Sequence, residues 1–333
     1  MKSEAHLESV VSRESSFLFN NLILLSSCFA VLWGTLFPVI SEALTGEKIS
    51  VDKPFYDKIL VPVGLFLMFL TGVGPLVAWR RSSLESLRRA FLWPSVAAVA
   101  LAVALCFGGM YEHPYALVSF GLCLFVTVTI ALEFWKGANA IRAKNEMSLA
   151  RAAVELTHRN TRRYGGYIVH MGVVLMFIGF TGSAFNKDRT VQVTPGQDFA
   201  IGHYNLRITN VQDGDNDNYE WRTVSVDVRK AGEDLGTLRP EHRFYKSSRQ
   251  PASEVAIRRR LNEDLYVNFA GMSSDESKLV IQAYVFPLVS WIWLGYYVLL
   301  FGTLVCLVPP KVRLAYARTE VVGIVGKRAS VEN

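Results

Sequence analysis

Six stretches of this chain stay apolar for about the 20 residues that a helix needs to cross a bilayer. They cover residues 17–40, 59–79, 91–109, 114–135, 165–185 and 284–308, and Pro309 and Pro310 end the last one. Between the fifth and sixth the pattern changes. Residues 190–193, 204–208, 222–228 and 264–269 alternate apolar and polar side chains, the two-residue period of half-buried strands. The pattern predicts an α-helical integral membrane protein of six transmembrane helices, with a small β-rich domain inserted between helices five and six. Residues 1–185 form the membrane domain with a cytoplasmic loop at 136–163. Residues 186–283 form the extracytoplasmic β-rich domain, 284–308 the last helix and 309–333 a cytoplasmic tail. Within the loop, Ala138, Ile141, Leu149, Ala152, Ala153 and Leu156 recur at helical spacing, so 137–163 reads as one amphipathic helix.

Composition agrees: of 333 residues, 51% are hydrophobic and only 19% charged, as in multi-span membrane proteins. The net charge of +6 says less than its placement. Arg80, Arg81, Arg88 and Arg89 follow the second span. Lys136, Arg142, Lys144, Arg151, Arg159, Arg162 and Arg163 follow the fourth, and Lys311, Arg313 and Arg318 the sixth. Basic loops stay cytoplasmic, which puts both termini inside and 186–283 outside; six spans return the chain to its starting side. A positive excess sorted by loop reports topology, so no nucleic-acid partner is expected. Ser41-Glu42-Ala43 loosely resembles a signal-peptide cleavage site. The apolar run before it is longer than a signal core, though, and Glu4, Glu8 and Glu14 precede it, so the helix is read as retained. Cys28, Cys106, Cys123 and Cys306 lie in apolar runs with no CxxC or CxxCH, which gives neither a disulfide framework nor a covalent haem site on this chain.

One residue breaks the lipid-like pattern of the fifth span. His170 lies about 9 Å beyond Tyr164 along the helix, and ionisable residues within spans are rare and face a bundle interior or cavity. Arg163 and Gly166 precede it on nearly the same face, and Val174 and Phe177 follow. Gly165, Gly172 and Gly179 recur every seven residues on the opposite face, where they permit close helix contact. Two readings stay open. A neutral imidazole in an apolar wall suits a haem iron, with Arg163 or Arg162 pairing a propionate. The alternative is a histidine that hydrogen-bonds a neighbouring helix.

The remaining chemistry is weaker. His6 lies near the terminus, His158 in the cytoplasmic loop, His113 before Pro114, and His203 and His242 in the outer domain; all five read as surface residues. There is no HxxxH or HExxH pair. Residues 213–218 (DGDNDN) open like a calcium loop but have Asn218 where glycine is needed and Val224 where glutamate is needed, so they read as a polar hairpin turn. Trp291 and Trp293 read as an interfacial aromatic belt.

Six stretches resemble, in order, the C-terminal half of CcmF-type haem lyases of cytochrome c maturation. They are SRESSFLFNN (12–21), WGTLFPVISEALTG (33–46), VDKPFYDKILVPVGLFLMFLTGVGP (51–75), YGGYIVHMGVVLMFIG (164–179), LRPEHRFYKSSRQPASEVAIRRRLNEDLYVNFAG (238–271) and FPLVSWIWLG (286–295). The resemblance implies that His170 is one axial ligand of a resident b-type haem (haem b), with the other ligand supplied by a partner chain. It implies a bacterial cytoplasmic (inner) membrane location. Its expected partners are a WWD-bearing N-terminal half of the haem lyase, the haem chaperone CcmE, and apocytochrome c with its thiol-reducing and chaperone subunits. The chain departs from the family in lacking any Trp-rich WWD motif and the outer-loop histidines of the N-terminal half. His242 stands where the family has Lys or Arg. The expectation is therefore a split or truncated lyase, inactive without its WWD-bearing half. The competing class is a non-catalytic scaffold that docks maturation partners through its outer domain; a transporter ranks third, because the spans lack broken helices and intramembrane charge pairs.

Overall fold

The computed structural model describes residues 13–74, 84–274 and 277–309. His6, Glu4, Glu8, Arg80, Arg81, Lys311, Arg313, Arg318 and the rest of the tail from residue 310 lie outside them. The chain divides into two compact units, Ile178–Trp293 and the helical remainder.

The helical unit begins with α1 (Arg13–Thr45), α2 (Lys53–Val73) and α3 (Leu84–Phe107). A short 3-10 turn at Met110–Glu112 leads to α4 (Pro114–Asn145), then α5 (Leu149–Arg159) and α6 (Thr161–Gly182); α7 (Ser290–Leu307) closes the chain. All except α5 are long and apolar enough to cross a membrane. Their outer surfaces fit that solvent: Leu25, Phe29 and Val39 of α1 are all more than 60% exposed, an apolar display that water would not tolerate. Pro38, Pro62 and Pro94 sit inside α1, α2 and α3, as membrane helices allow. The most enclosed helix is α4, with Cys123, Phe125, Val126 and Ile130 buried. Gly72 of α2 lets it approach closely, since a Cβ there would lie 2.6 Å from the Phe125 ring.

The loop between the fourth and fifth spans departs from the sequence expectation. Residues 137–163 are not one helix. Ala138 and Ile141 belong to the end of α4, which stops at Glu146 in a left-handed conformation (φ 44°). A new helix, α5, starts after Ser148, whose hydroxyl accepts from the Arg151 N–H. Ala152 and Leu156 are its buried positions. Gly137 lets them in: a Cβ there would meet Leu156 at 2.6 Å and the Tyr164 hydroxyl at 2.7 Å.

The second unit is a two-sheet sandwich. One sheet has the order β1 (Lys187–Val193), β10 (Leu279–Pro287), β9 (Glu263–Met272) and β8 (Ala256–Arg258). The other runs β2 (Asp198–Ile201), β3 (Tyr204–Asp215), β4 (Tyr219–Lys230), β6 (Glu241–Tyr245) and β7 (Gln250–Glu254), with β5 (Glu233–Leu238) also on β4. The four alternating runs of the sequence fall in β1, β3, β4 and β9. Their inward positions make the core: Leu206 and Ile208, Val224, Val226 and Val228, and Leu265, Val267 and Phe269. Ile281, Ala283 and Val285 of β10 complete it. Residues 213–218 are the β3–β4 hairpin expected of them, with the Asn216 side chain accepting from the Asn218 and Tyr219 N–H groups. One boundary shifts. Residues 284–287, apolar enough to read as the start of the last span, complete β10, and the helix begins at Ser290.

Candidate functional site

Asn160 starts α6 by accepting the Arg163 N–H on its side-chain oxygen (3.2 Å), which satisfies one of the first-turn donors. One side of the helix is built for contact with α7. A Cβ on Gly165 would meet Cys306 Sγ at 2.6 Å, and one on Gly172 would meet the Leu299 nitrogen at 2.6 Å and the Gly295 carbonyl at 2.7 Å. Further along, Gly179 faces Ile292 in the same way. The Thr161 hydroxyl donates to the Val308 carbonyl (2.6 Å), joining the start of α6 to the end of α7.

The other side meets α4. Tyr164 and Tyr167 pack on Phe134 with ring centroids 5.0 and 6.2 Å away. The Arg163 guanidinium lies 5.8 Å from both tyrosine rings. It donates to Glu133 Oε2 (2.7 Å) and to the Tyr167 hydroxyl (3.3 Å). Higher on the helix, Cys123 Sγ of α4 approaches the Val174 carbonyl at 3.8 Å, and Phe177 lies against Gly64 of α2.

His170 sits between these contacts, three residues after Tyr167 and four before Val174. It is half-buried, and its Nδ1 is buried without a hydrogen-bond partner. A buried polar atom left unmade costs roughly 1–3 kcal/mol, so native proteins retain few of them, and each needs a reason. The packing-histidine reading calls for a bond to a neighbouring helix, and Nδ1 makes none among the described residues. A neutral imidazole in an apolar wall is chemically suited to ligate iron. The residues fit that group at the ligand position by their chemistry, through the other ring nitrogen, since Nδ1 itself is enclosed by this chain. They fit it less well at the propionates: Arg163 already holds Glu133, while Arg162 is exposed.

Glu133 is what sequence reasoning passed over. It anchors Arg163 from 30 residues away and has Lys136 within 3.9 Å. No periodicity signals a pair between two helices. Among the other histidines, His158 and His203 are exposed, as expected of them. His242 is not a simple surface residue: half-buried, it stands edge-on to Phe269, with ring centroids 6.0 Å apart. It borders an open recess of about 580 Å³ at the end of the sandwich, with Arg222, Phe244 and Met272.

Residues 184–287 match a family model described as the CcmF C-terminal beta-sandwich. Over 310 residues the chain is 31% identical to the cytochrome c-type biogenesis protein CcmF of Haemophilus influenzae, covering 91% of this chain and 46% of that protein. Over 313 residues it is 30% identical to the cytochrome c-type biogenesis protein CycK of Rhizobium meliloti, covering 91% and 44%. A solved structure, "Cytochrome c Heme Lyase CcmF", superposes with a TM-score of 0.69 at 22% identity, over 90% of this chain and 46% of that one; at that identity it supports the fold. The chain spans somewhat less than half the length of the curated relatives it matches.

Proposed function

This chain is a relative of the CcmF-type cytochrome c-type biogenesis proteins and carries their C-terminal β-sandwich; from that premise we propose that it is a membrane part of a cytochrome c haem lyase. In this reading it helps to hold a b-type haem and to pass haem to apocytochrome c for thioether attachment. The observation that carries it is an imidazole in a span of a CcmF relative whose Nδ1 bonds no neighbouring helix among the described residues. When bound, the haem supplies a redox-active iron. The chain's own residues do the rest at that site. His170 would hold the iron, and the apolar residues around it would keep water away. Tyr167 and Glu133 fix Arg163 one helical stretch below, where it sets the charge at the edge of the span. Arg162, exposed at the same end, is the more available partner for a propionate, with Arg163 second.

One histidine supplies one axial position. Of the five others, His113 lies between helices, His158 in the short helix α5, His203 and His242 in the β-sandwich and His6 outside the described residues, so a further ligand is assigned to a WWD-bearing partner sequence. The same proposal puts the protein in a bacterial cytoplasmic membrane, with both termini inside and the β-sandwich outside. There the sandwich is the surface on which the haem chaperone CcmE or apocytochrome c would dock. The charge-dense 240–260 stretch contains β7 and β8, the edge strands of the two sheets, which supports that role.

The test is to purify this chain alone and with a WWD-bearing CcmF N-terminal half, and to measure haem per complex. The proposal expects weak or absent haem alone and a near-stoichiometric low-spin b-type haem in the complex. A stable complex without haem would leave only the scaffold reading.

A further inference from the structure

The first turn of α7 is tied to a turn of the β-sandwich. The Ser290 hydroxyl donates to Asp264 Oδ1 (3.1 Å), and the Arg260 N–H donates to the same oxygen (2.9 Å). Asp264 is only 3% exposed, so this carboxylate is an internal clasp. The Leu288 N–H donates to the Asn262 carbonyl (2.9 Å), and the Trp291 indole N–H donates to the Leu261 carbonyl (2.9 Å). Three hydrogen bonds thus hold residues 261–264 against residues 288–291, and the fourth, from the Arg260 N–H, braces the Asp264 carboxylate within the turn.

The helix sets the depth of that turn. With 18 residues, α7 is about 27 Å long at 1.5 Å per residue, close to the roughly 30 Å of bilayer hydrocarbon. It has no turn to spare, so Ser290 and Trp291 stand at the boundary where tryptophan is enriched. Whatever is bonded to Trp291 stands at headgroup depth with it. What the turn presents there is chemically specific. Arg259 and Arg260 are exposed, and neither guanidinium has an ion-pair partner among the described residues. Leu261 follows them, 62% exposed, as is Trp293. At the depth set by Trp291, two unpaired guanidiniums beside an outward leucine match a lipid surface. Arginine pairs phosphate oxygens in a fork, basic residues next to a membrane are drawn to anionic headgroups, and the apolar tip enters the acyl boundary.

We infer that the Arg259-Arg260-Leu261 turn is an anionic-lipid contact, in which the two guanidiniums bind headgroup phosphate and Leu261 inserts beside Trp291 and Trp293. The contact is made in the leaflet where α7 begins. It is independent of any haem at His170.

An environment-sensitive fluorescent amino acid at position 261 of the full chain, reconstituted in nanodiscs, reads this directly. The inference expects emission quenched at least twofold by acyl-brominated phosphatidylglycerol, and much less by acyl-brominated phosphatidylcholine. R259E/R260E should lose the quenching while the near-UV circular dichroism is unchanged, and R259K/R260K should keep most of it. No quenching by either lipid overturns the inference, as does equal quenching that survives charge reversal. If millimolar inorganic phosphate shifts the probe's emission in phosphatidylcholine nanodiscs as far as phosphatidylglycerol does, the site is one for a free anion and the lipid assignment fails.

Discussion

A single imidazole nitrogen carries the functional reading, and its surroundings show why a sequence reveals such a residue but not its neighbours. His170 stands out because every adjacent position in its span is apolar. Glu133 and Arg163 read as ordinary charges at span ends, because their 2.7 Å pair forms between α4 and α6. A partly exposed pair of this kind contributes on the order of 1 kcal/mol or less. Arg163→Ala should therefore lower thermal stability slightly and leave any haem spectrum at His170 in place; absorbance and a melting curve of the same sample check both. A second residue-scale cluster lies in the sandwich. Tyr204, only 3% exposed, donates its hydroxyl to Glu263 Oε1 (3.0 Å), and Lys230 Nζ donates to the same oxygen (2.6 Å). Burial alone would raise the Glu263 pKa, but the bonds from Lys230 and Tyr204 outweigh it and hold the carboxyl below its usual range. The stabilisation is thus fully present above the ordinary glutamate pKa of about 4.3 and is lost as pH falls through the lower folded value. Glu263→Ala should cost roughly 1–3 kcal/mol at neutral pH, because it strands the Tyr204 hydroxyl. Acid unfolding, followed by fluorescence, should lose its low-pH dependence on this residue in Glu263→Gln.

At the scale of elements, what the sequence made legible was whatever has a period. Six apolar lengths and four alternating runs were readable because a bilayer and a sheet impose repeats of fixed size. The misread boundaries are places where two elements share one pattern. Residues 284–287 are apolar at every position whether they finish β10 or begin α7, because the outer face of the strand here carries the half-buried aromatics Tyr284 and Phe286. The end of α4 escaped notice because Glu146 takes up the left-handed turn without the glycine that marks such stops. The glycine stripe of α6, by contrast, was legible and packs on α7. It yields a paired prediction. Gly172→Ala should destabilise by about 1–3 kcal/mol, because the added Cβ would meet α7 backbone at under 3 Å. Gly166→Ala, with nothing within 4 Å of its Cβ, should be neutral or stabilising by up to about 1 kcal/mol from helix propensity. Denaturation of the two variants in one detergent compares them; equal losses would mean that the stripe is not a contact surface.

For the whole molecule, the account joins a bundle of membrane helices to a CcmF-type β-sandwich and assigns them to opposite tasks, ligand holding and docking. Sidedness comes first. Reporter fusions should read cytoplasmic at residues 84–90 and 136–163 and extracytoplasmic near Asn216; a cytoplasmic signal at Asn216 would require an odd number of spans before it. The central claim is that His170 ligates an iron, and the most direct measurement is the spectrum of the haem-loaded complex carrying His170→Gly, with and without added imidazole. Losing one axial ligand should turn the low-spin b-type spectrum high-spin or empty the site, and free imidazole should restore the low-spin form. A low-spin spectrum unchanged by His170→Gly and indifferent to imidazole would contradict it.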